Sequence, residues 1–541
     1  MRDLFLPSNY KIPASGVEFK TADSDLKWVF DECERLCTEN RKVYGDYNVL
    51  IEGSKYKGVW LETQPLGGEM YAKRDIEAAL SNILIFVRYQ RRDGRYPGMI
   101  SFKNHMDRVA AHYDWMQGCF FAEPAIKVYY HLGKDIEYLK MIYNSLKDFD
   151  NYLWKYRDSN GDGCLEEWCV WDSGEDNCTI HFLNGVQYPL QGGWGASTPP
   201  SDYGKMPFES PQYMAYTYSI RMALSEISEI FGNTAEAEEW KEKAEKARQN
   251  AIDRLWDKER SAFYKRDRNG DVIDALSQEN IKCMHLGLMT QKMADDFISM
   301  HFMNPDEFWT NYPLPSIAIN NPYFHYDVSF SNAKAALDAI GFQSHDIDNN
   351  SWSGPTNGLT YQRAIGALMR YGHHREQIML AERVIELVKK TRLLLQNYSP
   401  FTGEYSATSQ NGYGPMVLAT LENISLMQGV NISKDEIFWT SYGNSDFEYV
   451  QTLGESKYKL VGKSGDCVAY VNDNQVFRAK GNVRLKTDMS GNIISVYGID
   501  AERSDINLAF NGKEYKLEIS PNEELGLCDS RFVTLRTVPF N

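Results

Sequence analysis

The sequence predicts a mainly α protein: an (α/α)6 barrel of six helical hairpins, followed by a small antiparallel β-domain. Three observations carry this. Helix-type periodicity recurs in twelve segments between residues 24 and 430. Short turns and long loops alternate between those segments, pairing them into six hairpins, and six hairpins can close into a barrel with the long loops gathered at one end. After residue 432 the period changes from 3.6 to 2, which marks strands. An α-solenoid is the alternative arrangement of the hairpins, but no fixed repeat length supports one.

Residues 1–23 read as an irregular N-terminal arm, 24–432 as the helical domain and 433–541 as a β-sandwich-like accessory domain. Helices are expected at 24–44, 71–90, 116–132, 135–156, 211–231, 235–255, 274–288, 291–301, 330–340, 356–371, 375–395 and 413–428. Tyr216, Ile220, Ala223 and Ile227 form one apolar stripe, as do Ile378, Ala381, Ile385 and Val388. Asn233-Thr234 is an N-cap signal, and Gly372 stops the helix before it. The loops 45–70, 91–115, 157–210, 303–329 and 341–355 are rich in Trp, Tyr, Gly, Pro and acids. Loops this long in a compact domain are normally functional. Beyond 432, segments such as Phe447-Glu-Tyr-Val-Gln-Thr-Leu453 and Tyr515-Lys-Leu-Glu-Ile519 alternate apolar and polar residues between Gly, Asn and Asp turns.

Net charge is −16, with acids spread along the chain, which argues against nucleic acid or an anionic membrane as partner and suits a small polar substrate. The first ten residues lack an apolar leader, and no apolar run reaches the length of a membrane span. The nine cysteines are scattered without metal-type spacing, so reduced thiols in a cytoplasmic protein are expected. Neither a P-loop nor a dinucleotide fingerprint is present. Asp158-x-Asn160-x-Asp162-Gly163 imitates the start of a calcium loop, but its twelfth position is Cys169 rather than Glu, so a turn is favoured and no metal is expected. His373-His374 sits at a helix break and reads as a polar surface pair.

Cys164–Cys178 concentrates chemistry: two tryptophans (Trp168, Trp171) and five carboxylates (Glu166, Glu167, Asp172, Glu175, Asp176) stand in fifteen residues. Trp171-Asp-Ser-Gly-Glu-Asp-Asn177 resembles the W-[DE]-S-G-x-D-N segment of glycoside hydrolase family 63, inverting (α/α)6 glycosidases related to the trehalases. Asp158-Ser-Asn-Gly-Asp-Gly-Cys-Leu165 resembles that family's lead-in. Asn311-Tyr-Pro-Leu-Pro-Ser-Ile317, Trp352-Ser-Gly-Pro355 and Tyr398-Ser-Pro-Phe-Thr-Gly403 resemble its later loops, in the family's order. Gln117 stands where the family begins a helix with T-Q-P-P.

The resemblance implies a cofactor-independent hydrolase acting on a terminal α-linked sugar, α-glucosidase-like first, with Asp176 as general acid. Such an acid must be protonated near neutrality, and the neighbouring carboxylates and Trp171 supply like charge and desolvation. The partner base should lie across the ring, roughly 6.5–9.5 Å away. The family's base is a glutamate before Y-x-P-x-T-G, and this chain has Gln396 there. An amide cannot accept the proton of water. Three readings follow: a Glu→Gln replacement of a native base, Glu404 acting instead, or a changed mechanism. A phosphorylase, which needs no base, and an inactive carbohydrate-binding relative are the rivals. For the sugar pocket, Arg74 and Asp75 are candidates to clamp adjacent hydroxyls, with a helix-start salt bridge as the plainer reading. Trp171, Asp172 and Gly354 are pocket candidates from the matching motifs, Trp309, Tyr312 and Trp352 are candidate stacking platforms, and Asn357 stands where the family has a second Trp.

Overall fold

The computed structural model describes residues 5–103, 108–175, 178–184, 204–325, 352–405 and 410–540. Fourteen α-helices are described, and twelve of them divide into an inner set and a set packed against it. The inner layer is α2 (Gln64–Tyr71), α4 (Ala122–His131), α8 (Pro211–Ile230), α10 (Glu279–His285), α12 (Gly358–Tyr371) and α14 (Gly414–Ser425). Each packs on the next, and α14 returns to α2, so the contacts close into a circuit. Outside them lie α1 (Ser24–Glu39), α3 (Ile76–Arg88), α5 (Ile136–Tyr156), α9 (Thr234–Leu255), α11 (Gln291–Phe297) and α13 (His374–Thr391). Of two short helices, α6 (Val170–Ser173) lies in the acid-rich stretch and α7 (Thr179–Asn184) directly follows it.

Burial explains the layering. In α5, apolar residues such as Leu139, Ile142, Leu146, Phe149 and Leu153 face inward while charged residues cover the other side, as a surface helix requires. In α2 every residue is buried, two are glycines, and no polar face exists. Helix α2 was therefore invisible to periodicity and fell inside an expected loop. The expected helix 330–340 lies outside the described residues. At Gly372 the backbone is left-handed (φ +78°), ending α12 as its position predicts. Asn233 occupies the N-cap of α9, though its side chain donates to Glu236 instead of accepting from the backbone.

The C-terminal strands form two antiparallel sheets. One runs in the order Ser15–Thr21, Phe447–Leu453, Ser456–Lys463, Asp466–Val471, Asn474–Lys480, Ser504–Phe510, Lys513–Ile519. The other runs Gln428–Ser433, Glu436–Ser441, Val483–Asp488, Ile493–Tyr497, Glu523–Cys528, Arg531–Thr537. Trp439 of the second sheet packs edge-on against Tyr458 and Phe477 of the first, filling the space between them.

The arm expected to be irregular instead carries the strand Ser15–Thr21, paired residue for residue with Phe447–Leu453. Arg484 joins the two parts of the chain, donating to the Gln377 Oε1 (2.5 Å) and the Leu426 carbonyl (2.6 Å). His373 and His374 are buried rather than a surface pair, because α13 is covered by the β-sheets: His374 lies 3.0 Å from Arg484 Nη1, and His373 pairs with Asp295 and Glu376. Among the described residues no helix is long and apolar enough to cross a membrane.

Candidate active site

A cavity of about 180 Å³ lies where the N-termini of the inner helices gather. Its lining comes largely from residues at or just before those termini: Trp60 and Glu62 before α2, Trp115 and Gln117 before α4, Trp352 and Leu359 at α12, Tyr413 before α14. Glu52, Tyr56, Met99, Trp171, Gly174 and Gln396 complete the described wall. That volume is below the roughly 300–1,000 Å³ of drug-sized pockets, so the space suits one small unit. Converging N-termini carry partial positive charge, which makes this the end of the ring where buried carboxylates are best tolerated.

The acid-rich stretch is fixed against this wall. Asp172 is buried, and its carboxylate accepts from Met116 N (2.8 Å), Trp168 N (2.9 Å) and Arg157 Nη1 (2.6 Å). Burial alone would raise its pKa, but the Arg157 guanidinium and the two amides hold it below the ordinary carboxylate value. Arg157 also stacks 4.0 Å above the Trp168 ring. The Gln117 and Gly118 amides donate to the carbonyls of Trp171 (3.0 Å) and Asp172 (2.8 Å). Gln117 adopts a left-handed backbone to do so (φ 61°), a strain of the kind that collects at functional sites. The Trp115 and Trp171 rings meet edge to face, centroids 4.8 Å apart.

Behind the stretch lies a buried charge network. Lys282 Nζ donates to Glu175 Oε1 (2.9 Å), Gln212 Oε1 (2.8 Å) and the Ser173 carbonyl (3.1 Å). Lys265 pairs with Glu167, and Glu279 sits 3.7 Å from Lys265. Burial alone would raise the Glu175 pKa, but the charges of Lys282 and Lys265 outweigh it and hold the carboxylate well below its usual range, at about 2. Glu279 is pushed up to about 7 by burial and by Glu167 and Glu175, against the pull of Lys265. Glu175, Cys178 and His181 place ligand-type atoms within 4.8 Å of one another. Two ammonium groups already neutralise this region, and burial raises the Cys178 thiol well above its usual range, so the donor set suits an internal salt-bridge network better than a cation.

Glu62 is one of two lining carboxylates, with Glu52, that sequence reading missed. It is buried, accepts from Arg363 Nη2 (2.6 Å) and lies 3.4 Å from Gln117 Nε2. Burial keeps its pKa raised despite Arg363. Gly174 closes over it: a Cβ there would stand 2.2 Å from Glu62 Oε2, and the residue's φ is +76°. The available signal was Trp60-Leu-Glu62 ahead of a proline-led helix, within the long loop already expected to matter.

The structure thus brings Gln117, Trp171, Trp352 and Gln396 to one cavity. Gln396 Oε1 accepts from Tyr56 OH (2.7 Å). Asn357 supports that segment from behind, capping α12 through Leu359 N (2.8 Å) and donating to Asn397 Oδ1 (2.8 Å). Asp172, as described, is held within the wall and is not part of the lining. Asp176 lies outside the described residues.

The remaining candidates sit elsewhere. Arg74 pairs with Glu34 (2.6 Å), and Asp75 caps α3 and pairs with Arg41 (2.9 Å), so the clamp expected of them is replaced by helix-start salt bridges. Trp309 packs on Phe302, Tyr312 accepts from Lys390 (3.0 Å), and Gly354 lets the backbone pass His325. Glu404 is exposed in a turn, its carboxylate accepting from Thr402 Oγ1 (3.1 Å), and does not reach the cavity lining.

Residues 70–414 match the family described as the Mannosylglycerate hydrolase MGH1-like glycoside hydrolase domain. No curated protein sequence matches the chain. Among solved structures, the GH63 mannosylglycerate hydrolase of Thermus thermophilus, in complex with glucose, superposes with a TM-score of 0.55 at 16% identity, over 73% of this chain and 99% of that one. A sialidase superposes with a TM-score of 0.61 at 13% identity, over 88% of this chain and 43% of that one. The α-L-rhamnosidase of Dictyoglumus thermophilum gives 0.53 at 11% identity, over 95% and 50%. At these identities the likeness is one of fold.

Proposed function

Since the chain belongs to the mannosylglycerate hydrolase MGH1-like glycoside hydrolase family and is a glycosidase, we propose that it removes a terminal α-linked sugar, an α-glucoside first, from a short oligosaccharide or small glycoside, with inversion. The closed circuit of inner helices is, in this reading, the inner wall of an (α/α)6 barrel. The observation that carries the proposal is the composition of the cavity. Its described wall combines tryptophans, carboxylates and amides: Trp60, Trp115, Trp171 and Trp352 with Glu52, Glu62, Gln117 and Gln396. Aromatic faces suit the apolar faces of a pyranose, and carboxylates and amides suit its hydroxyls. No Lys or Arg stands among the described lining residues, which favours a neutral glycoside over an anionic one.

Asp176, two residues beyond Gly174, is the proposed general acid, delivering its proton to the glycosidic oxygen as the bond to the anomeric carbon breaks. Glu62, held by Arg363, would take sugar hydroxyls beside it. The test is a panel of α-glycosides followed by NMR. Wild type should release the β-anomer first, and Asp176→Asn should abolish release while staying folded. Unchanged turnover in Asp176→Asn, or first release of the α-anomer, overturns the reading. Gln396 favours a second reading, a phosphorylase, whose mark would be phosphate-dependent formation of a sugar 1-phosphate.

A further inference from the structure

An inverting hydrolase needs a base, and position 396 offers an amide. Within the described wall of the cavity only two carboxylates occur, Glu52 and Glu62. Glu62 lies under Gly174 and is ion-paired to Arg363, which engages its carboxylate. Glu52 shares the cavity wall with Tyr56, Tyr413 and Gln396, the position at which the family resemblance puts the base. Tyr56 donates to Gln396 Oε1 at 2.7 Å, and Tyr56 and Gly53, the residue after Glu52, exchange backbone hydrogen bonds (3.1 and 2.9 Å). The Tyr413 hydroxyl is pushed up by burial and then by the charge of Glu52, consistent with the carboxylate facing it.

The backbone at Glu52 is tightly held. Its N–H donates to the Gly58 carbonyl (3.2 Å), and its own carbonyl accepts from Gly414 N (2.6 Å) at the start of α14. Gly53 leaves no room for a side chain: a Cβ would stand 2.2 Å from Asn40 Nδ2 and 2.3 Å from the Gly412 carbonyl. Positioning of this quality is what a general base requires.

We propose that Glu52 is the general base, taking the role that Gln396 cannot fill. This rests on the reading of the chain as an inverting glycosidase. A water between Glu52 and the anomeric carbon loses one proton to the Glu52 carboxylate as its oxygen bonds to that carbon. The bond to the leaving oxygen breaks on the other face and takes up the proton of the acid. Both carboxyl groups return to their starting states by exchange with solvent. Gln396, fixed by Tyr56, orients the water through its amide.

The experiment compares wild type, Glu52→Gln and Glu52→Ala on α-glycosyl fluorides and aryl α-glycosides. General-base loss is expected to lower kcat about 10²–10⁴-fold. The fluoride should be affected as much as the aryl glycoside, because a good leaving group relieves the acid and not the base. Azide should restore turnover in Glu52→Ala by forming the β-glycosyl azide, which a merely structural role would not produce. If the alanine variant does not fold, the isosteric Glu52→Gln carries the same test, with recovery in Glu52→Gln/Gln396→Glu as the second readout. Glu52→Gln within threefold of wild type, or a loss that neither azide nor Gln396→Glu recovers, overturns the assignment. A wild type inert on every α-glycoside overturns the glycosidase reading and the base together.

Discussion

Replacing Asp172 by Asn removes one charge and turns an acceptor into a donor at a point where every neighbour donates. The carboxylate receives Met116 N, Trp168 N and Arg157 Nη1, and both ion-pair side chains are 2% exposed. The amide nitrogen of Asn must face at least one of those donors, and Arg157 loses its counter-charge. Breaking a buried ion pair from one side costs about 3–5 kcal/mol, against about 0–1 kcal/mol for a surface pair. Asp172→Asn should therefore destabilise the chain by about 3–5 kcal/mol in urea unfolding at pH 7 followed by tryptophan fluorescence.

Arg157→Met should cost a similar amount. The double variant should cost less than the sum, by about 0.5–3 kcal/mol, since the second change removes the stranded charge of the first. The pH dependence has a definite sign. Asp172 is held below its ordinary value of 3.8, so its stabilisation is present above that pH and is lost as pH falls through the lower folded value. The gap between wild type and Asp172→Asn should accordingly close under acid conditions. A loss below about 1 kcal/mol, or strict additivity in the cycle, would refute the reasoning.

Other expectations are briefer. Gly174→Ala should cost about 1–3 kcal/mol, from its left-handed backbone and the collision with Glu62, and should lower kcat at least about tenfold in the α-glycoside assay. Glu404→Gln should leave activity within about twofold of wild type, because that carboxylate is spent on an exposed turn. His131 and His285 are held neutral chiefly by burial, each down to about 4 from 6.5. Their contribution is full above 6.5 and falls as pH drops toward 4, so the unfolding free energy from urea titrations should decline across that window, by up to roughly 3 kcal/mol per histidine.

Periodicity revealed the amphipathic helices because each has one wet face. Helix α2 had none: Gln64, Glu69 and two glycines are as buried as Leu66 and Met70. The capping signal transferred well at Gly372, and at Arg74-Asp75 the plainer helix-start reading holds in place of the clamp, with Asp75 capping α3. The long loops were legible as functional from length and composition, and 45–70 does hold Glu52, Tyr56, Trp60 and Glu62. Which acid in a loop faces the cavity depends on backbone turns that no local pattern encodes, so Glu62 escaped notice while Asp172 was mistaken for a lining residue. Strand Ser15–Thr21 was hidden for another reason: its register is set by a partner more than four hundred residues away.

That pairing has a consequence for biosynthesis. Ser15 is made before the helical ring, and Leu453, which it will face, only after the last described helix of that ring. At about 5–20 residues per second the first strand waits roughly 20–90 s for its neighbour. Until then the nascent chain carries an unmatched β-segment ahead of a domain able to condense without it, and the sheet is completed as a late clasp joining the segment before the helices to the one after them.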